Sequence, residues 1–132
     1  MNYQTIGEIY EANAKIREKL KATIANLSEE QINSRLNENG WTIREIVEHI
    51  SIVEGGMATI CSRLLQKSAE ENLANDGKAN ISAEFLEKAA LIANRRERKA
   101  QAPERVIPTG TLSIAESLAK MDENAKIFEQ IR

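Results

Sequence analysis

The chain has 132 residues, 42% apolar and 29% charged, with a net charge of −2, the make-up of one globular domain spanning 1–132. That balance gives no overall electrostatic pull toward nucleic acid or an anionic membrane, so neither is expected as a partner. The single cysteine, Cys61, excludes an intrachain disulfide, and no apolar run reaches the length of a membrane span. The start Met1-Asn2-Tyr3-Gln4 has neither the basic nor the apolar region of a signal peptide, and a cytoplasmic location is expected. Aromatic residues make up only 4%, while Ala, Leu, Ile, Glu and Lys are abundant, which favours helices over sheets.

Ile6, Ile9, Tyr10, Ile16, Leu20, Ile24 and Leu27 recur at three- and four-residue steps, predicting an amphipathic first helix. Asn13 falls on that stripe, as a buried polar contact or a pocket residue. Ser28-x-x-Gln31 is a capping box for a short second helix, with Leu27 and Ile32 spaced as a hydrophobic staple. Asn37-Glu38-Asn39-Gly40 breaks the chain.

Thr42 then caps the next helix, with Glu45 as its capping-box partner and Trp41 and Ile46 spaced as a staple. Its apolar residues are Ile46, Val47, Ile50, Val53, Met57, Ile60 and Leu64. Gly55-Gly56 costs this helix about 1 kcal/mol per residue relative to Ala, marking either a close approach of another backbone or of a ligand, or a weak point. Ser68 through Asn80, including Asn75-Asp76-Gly77, reads as a loop.

Ser82 caps a further helix with Phe85, Leu86, Ala89, Ile92 and Ala93 on one side. It ends in the basic run Arg95 to Lys99, which reads as a solvated helix C-terminus better than as a phosphate contact, since Glu97 dilutes it and no aromatic is interleaved. Pro103 and Pro108 predict an extended crossing segment. Ser113-x-x-Glu116 opens a last helix bearing Ile114, Leu118, Met121, Ala125 and Phe128. The expected architecture is all-α, an antiparallel helical bundle.

The string Trp41-x-x-x-Glu45-x-x-x-His49-Ile50 resembles the second-helix signature of the DinB-like superfamily. The turn Leu27 to Gln31, and Ala102-Pro103-Glu104 with Pro108-Thr109-Gly110 ahead of a Leu-Ser-x-x-Glu helix start, extend that likeness over most of the chain. The resemblance implies a four-helix bundle, a divalent metal (Zn²⁺ or Ni²⁺) held by three histidines, and hydrolase or thiol S-transferase chemistry on a small-molecule substrate. His49 matches the first ligand position. The family's His-x-x-x-His pair has no counterpart here, because His49 is the only histidine; whether the domain is C-terminally truncated or Arg132 is its natural end stays open.

Three imidazoles around such a metal, with one position open, would activate water or a thiol; one cannot. Glu45 lies one helical turn from His49 and could share its face, although its capping role explains it better. Cys61 is twelve positions further on, roughly 18 Å along the helix, and reads as a small core residue. Remaining ligands would have to come from Glu8, Glu11, Asp122, Glu123 or another chain. Without the resemblance, a lone histidine is more often a hydrogen-bonded, half-buried residue than a ligand. Two functions stay open: a metal-enzyme scaffold with an incomplete site and little or no activity alone, or a non-catalytic interaction module. For the second, an apolar groove left by a missing helix would be covered by a homodimer partner.

Overall fold

In the computed structural model, residues 3–71, 82–94 and 101–131 are described. The helices are α1 (Ile6–Ala25), α2 (Glu29–Asn33), α3 (Ile43–Glu70), α4 (Ala83–Asn94) and α5 (Ile114–Gln130), with a 3-10 turn at Glu104–Val106. The protein is all-α; among the described residues its only β-type pairing is an isolated bridge between Arg35 and Thr42. Its contacts divide it into two compact units, Met1–Thr23 with Asn75–Gln101, and Ile24–Ala74 with Ala102–Arg132.

In the first unit, α1 starts at a capping arrangement that also stands in the sequence as Thr5-x-x-Glu8. The Thr5 hydroxyl accepts from the Glu8 N–H at 3.3 Å, and the Glu8 carboxylate accepts from the N–H groups of Gln4 and Thr5. Asn13 is exposed, as is Ile16 one turn later, so Asn13 is not the buried contact its place on the stripe suggested. In α4 the Ser82 carbonyl accepts from the Leu86 N–H, and Lys88 pairs with Glu84 one turn back. The Asn75-Asp76-Gly77 loop and the Arg95 to Lys99 cluster lie outside the described residues.

The second unit is organised by α3, and both expected capping boxes on α2 and α3 form there. Arg44 reaches back from α3 to Asn33 at 3.0 Å and Glu29 at 3.3 Å, tying α3 to α2. Pro103 does not exclude helix: it caps the 3-10 turn, where a backbone N–H would have no partner within the turn, so proline forfeits no hydrogen bond. Past Pro108, Gly110 takes φ +73°, a left-handed conformation that redirects the chain toward the Ser113–Glu116 capping box of α5. At its other end α3 continues through Ser68 to Glu70, beyond the predicted stop. One-turn pairs, Gln66 to Glu70 and Lys67 to Glu71, support that last stretch.

α3 and α5 pack side by side. Gly110, just before α5, meets the first turns of α3, whereas Asn124, two-thirds along α5, meets Ser51 and Gly55. The contacts advance in the same sense on both helices, so this pair runs parallel; the antiparallel expectation does not extend to it, and the long connection through α4 makes that direction available. The buried residues are Val47, Glu48, Ser51 and Ala58 on α3, and Ser117 and Met121 on α5. Burial of Val47 and Met121 stabilises by about 1.5–3 kcal/mol each, while the small Ser51, Ala58 and Ser117 let the helices approach. Gly55 belongs to this contact. A Cβ there would lie 3.4 Å from the Asn124 side-chain oxygen, and the Asn124 amide donates to the Ser51 carbonyl at 3.0 Å. Gly56 has nothing within 4 Å of such a Cβ.

Candidate functional site

The first two turns of α3 carry a dense polar network. The Thr42 hydroxyl accepts from the Glu45 N–H at 3.1 Å, and Glu45 accepts from the Thr42 N–H at 2.7 Å. Arg35 donates to the other Glu45 oxygen at 2.8 Å and to the Gly40 carbonyl at 2.6 Å. The hydrogen bond from the Thr42 backbone, against a smaller effect of burial and with help from Arg35, holds the Glu45 carboxyl below its ordinary range. Both oxygens of Glu45 are therefore engaged at the helix start. These bonds give Glu45 the capping role that explained it better than a ligand face shared with His49.

Glu48, one residue before the histidine, is only 1% exposed. One carboxylate oxygen accepts from the Thr109 N–H at 2.9 Å and the Thr109 hydroxyl at 2.7 Å; the other accepts from the Gly110 N–H at 2.8 Å. Burial raises the Glu48 carboxyl. The bonds from the Thr109 side chain and from the backbone of Thr109 and Gly110, together with the charge of Lys120, outweigh it and leave the group below its usual value. A buried carboxylate is tolerable only when so satisfied.

His49 is half-buried. Its Nδ1 lies 2.6 Å from the Val106 carbonyl oxygen, in the 3-10 turn ahead of Pro108. A carbonyl only accepts, so Nδ1 carries the proton, and in the neutral ring Nε2 holds the lone pair. The Trp41 ring is tilted against the imidazole, centroids 4.8 Å apart. Its expected staple partner Ile46 is 43% exposed. Adjacent residues of α3 thus grip one segment of chain, His49 at Val106 and Glu48 at Thr109 and Gly110.

The sequence singled out His49, Trp41, Thr42 and Glu45, and the structure brings all four together around the start of α3. It did not single out Glu48 or Asn124. A weak signal for Glu48 was available: it stands between Val47 and His49, where a charged residue can be buried only with dedicated donors, and Thr109-Gly110 supplies them. Among the other carboxylates considered as ligands, Glu8 is committed to its own helix cap. Cys61 is a free, partly exposed thiol on the same helix as His49.

The capped helix presents one histidine oriented by Val106, with the neighbouring Glu48 fastened to the Thr109-Gly110 turn ahead of a further capped helix, and this defines an all-α, histidine-bearing protein. The family model described as the DinB family matches residues 1–119, and the chain belongs to that family. No curated protein and no solved structure matches the chain. The family is generally metal-associated, and holding a metal ion needs several converging donors. Among the described residues no three His, Cys, Asp or Glu side chains group to hold one, so these residues do not fit a three-ligand site. No helix among the described residues is long and apolar enough to cross a membrane.

Proposed function

We propose that this DinB-family domain keeps one position of a metal site in His49. By itself it binds Zn²⁺ or Ni²⁺ weakly and has little hydrolase or thiol S-transferase activity toward a small-molecule substrate. The observation that carries this reading is the Nδ1–H···O=C bond from His49 to Val106, the kind of outer hydrogen bond that orients metal-bound imidazoles. The uncommitted nitrogen is the one a metal would take, but the described residues add no chelating partners. A reducing, cytoplasmic setting suits the free thiol of Cys61. Calorimetric titration of metal-free protein with Zn²⁺ and Ni²⁺, beside His49→Ala, tests it. Weak binding lost in the variant is expected; tight stoichiometric binding that survives the substitution contradicts the reading.

A second reading, a non-catalytic module that dimerises, is favoured by one specific observation. Met57, Ile60 and Leu64 follow one another at helical spacing on α3 and are 53%, 55% and 63% exposed. Gly56, with open space at its Cβ position, sits beside them and would let a second helix come close. Sedimentation equilibrium should then give a dimer that Leu64→Glu converts to monomer with helicity retained. A wild-type monomer at all concentrations rules the second reading out.

A further inference from the structure

We propose that Glu48 is a positioning residue for His49, selecting the Nδ1–H form of the neutral imidazole through the chain segment both residues grip. The two side chains sit next to each other on α3 and reach points only a few residues apart, Val106 for His49 and Thr109-Gly110 for Glu48. Between them stands Pro108, which fixes its own φ and restricts Ile107 to extended conformations, so the segment is stiff. Anchoring its far end therefore fixes where the Val106 carbonyl oxygen lies. That oxygen is the acceptor that draws the ring proton onto Nδ1 and leaves Nε2 as the acceptor nitrogen.

The anchor needs a carboxylate specifically. Glu48 receives three donors on two oxygens, and both oxygens are used. In Glu48→Gln one oxygen becomes an NH₂ group, and if Thr109 keeps the remaining oxygen, that NH₂ faces the Gly110 N–H, donor against donor. The turn would move away, the Val106 oxygen with it, and the imidazole would lose the bond that chooses its tautomer. The inference concerns the metal-free ring, so it can fail while weak metal binding at His49 still holds, and the reverse.

The single histidine makes the test clean, since one imidazole gives one set of ring-nitrogen signals. ¹⁵N NMR of metal-free protein, at a pH where the ring is neutral, distinguishes protonated from unprotonated Nδ1. The wild type should show the Nδ1–H form, and Glu48→Gln should lose it in favour of Nε2–H. Thr109→Val, which removes the hydroxyl donor but keeps both backbone donors, should shift the population part of the way. Ser28→Ala, which weakens the α2 cap without touching the segment, should leave the ring signals unchanged. A wild-type ring in the Nε2–H form overturns the proposal, and so does a folded Glu48→Gln that keeps Nδ1–H. If Glu48→Gln does not fold, an unchanged ring in Thr109→Val overturns it instead.

Discussion

The first turns of α3 and its last turns are parts of one helix, yet they are held by different means. From Thr42 to Ser51 the helix carries buried residues and a set of side-chain bonds to backbone at Thr42, Val106, Thr109 and Gly110, and Arg35 braces its start by holding both Glu45 and the Gly40 carbonyl. From Gly56 to Glu70 only Ala58 is buried, while Met57, Ile60, Leu64 and Leu65 are exposed. Hydropathy alone would not have separated the two, since Ile43, Ile46, Val47 and Ile50 in the first half are matched by Met57, Ile60, Leu64 and Leu65 in the second. What secures the first half is the satisfaction of a few polar groups; the Thr42–Glu45 cap is local, but the bonds of Glu48 and His49 join residues far apart in sequence.

The contrast is broken most forcefully at Glu48. Glu48→Ala leaves the Thr109 and Gly110 N–H groups without their acceptor and should cost about 3 kcal/mol in chemical denaturation. A loss under 1 kcal/mol would mean the turn is held by something else. Gly110→Ala should cost about 1–2 kcal/mol. Its Cβ would meet only ordinary contacts with Glu45, so the penalty is the left-handed backbone itself.

Acid should act on the same half. Glu48 and Glu45 both have carboxyls below the ordinary value in the folded chain, the first despite burial through its bonds to Thr109 and Gly110, the second through the Thr42 backbone. As pH falls the unfolded chain takes up these protons first. The stability they contribute is complete above the ordinary carboxylate range and is lost as pH drops through the depressed folded values. Glu116, held low by its bond to the Ser113 side chain, adds a contribution of the same sign. Denaturation midpoints followed from neutral pH into acid should fall in the wild type and fall less steeply in Glu48→Gln; equal slopes would show that Glu48 does not contribute.

The second half should be far more tolerant. Gly56→Ala meets open space and should stabilise by about 0.5–1 kcal/mol, whereas Gly55→Ala gains less because its methyl meets Asn124. Leu64→Gln should change monomer stability by no more than about 0.5 kcal/mol. A large loss at Leu64 would show that its side chain is buried in solution and would sharpen the case for a partner surface.

Much of this architecture was legible in the sequence because capping chemistry is local. Thr42 and Glu45, Ser28 and Gln31, and Ser113 and Glu116 each lie three residues apart, and all three boxes form. The buried side of α3 was less legible. Periodicity chose Ile46, Val47, Ile50, Val53, Met57, Ile60 and Leu64; of these only Val47 is buried, and α5 packs against the side bearing Val47, Ser51 and Ala58, where small residues permit close approach. Hydropathy ranks a serine or glycine low even when closeness is what the contact needs. His49 was found by motif and by its rarity; Glu48 was missed because its partners lie more than sixty positions away. Metal ligation by His49 stays a proposal, since its geometry is suitable but the described residues bring no companions to it.

Amide hydrogen exchange at Thr109 and Gly110 tests the central claim most directly, because both N–H groups donate to the buried Glu48 carboxylate. The account predicts strong protection at both in the wild type, in a segment that is otherwise turn, and its loss in Glu48→Gln. Rapid exchange at both positions in the wild type would contradict it.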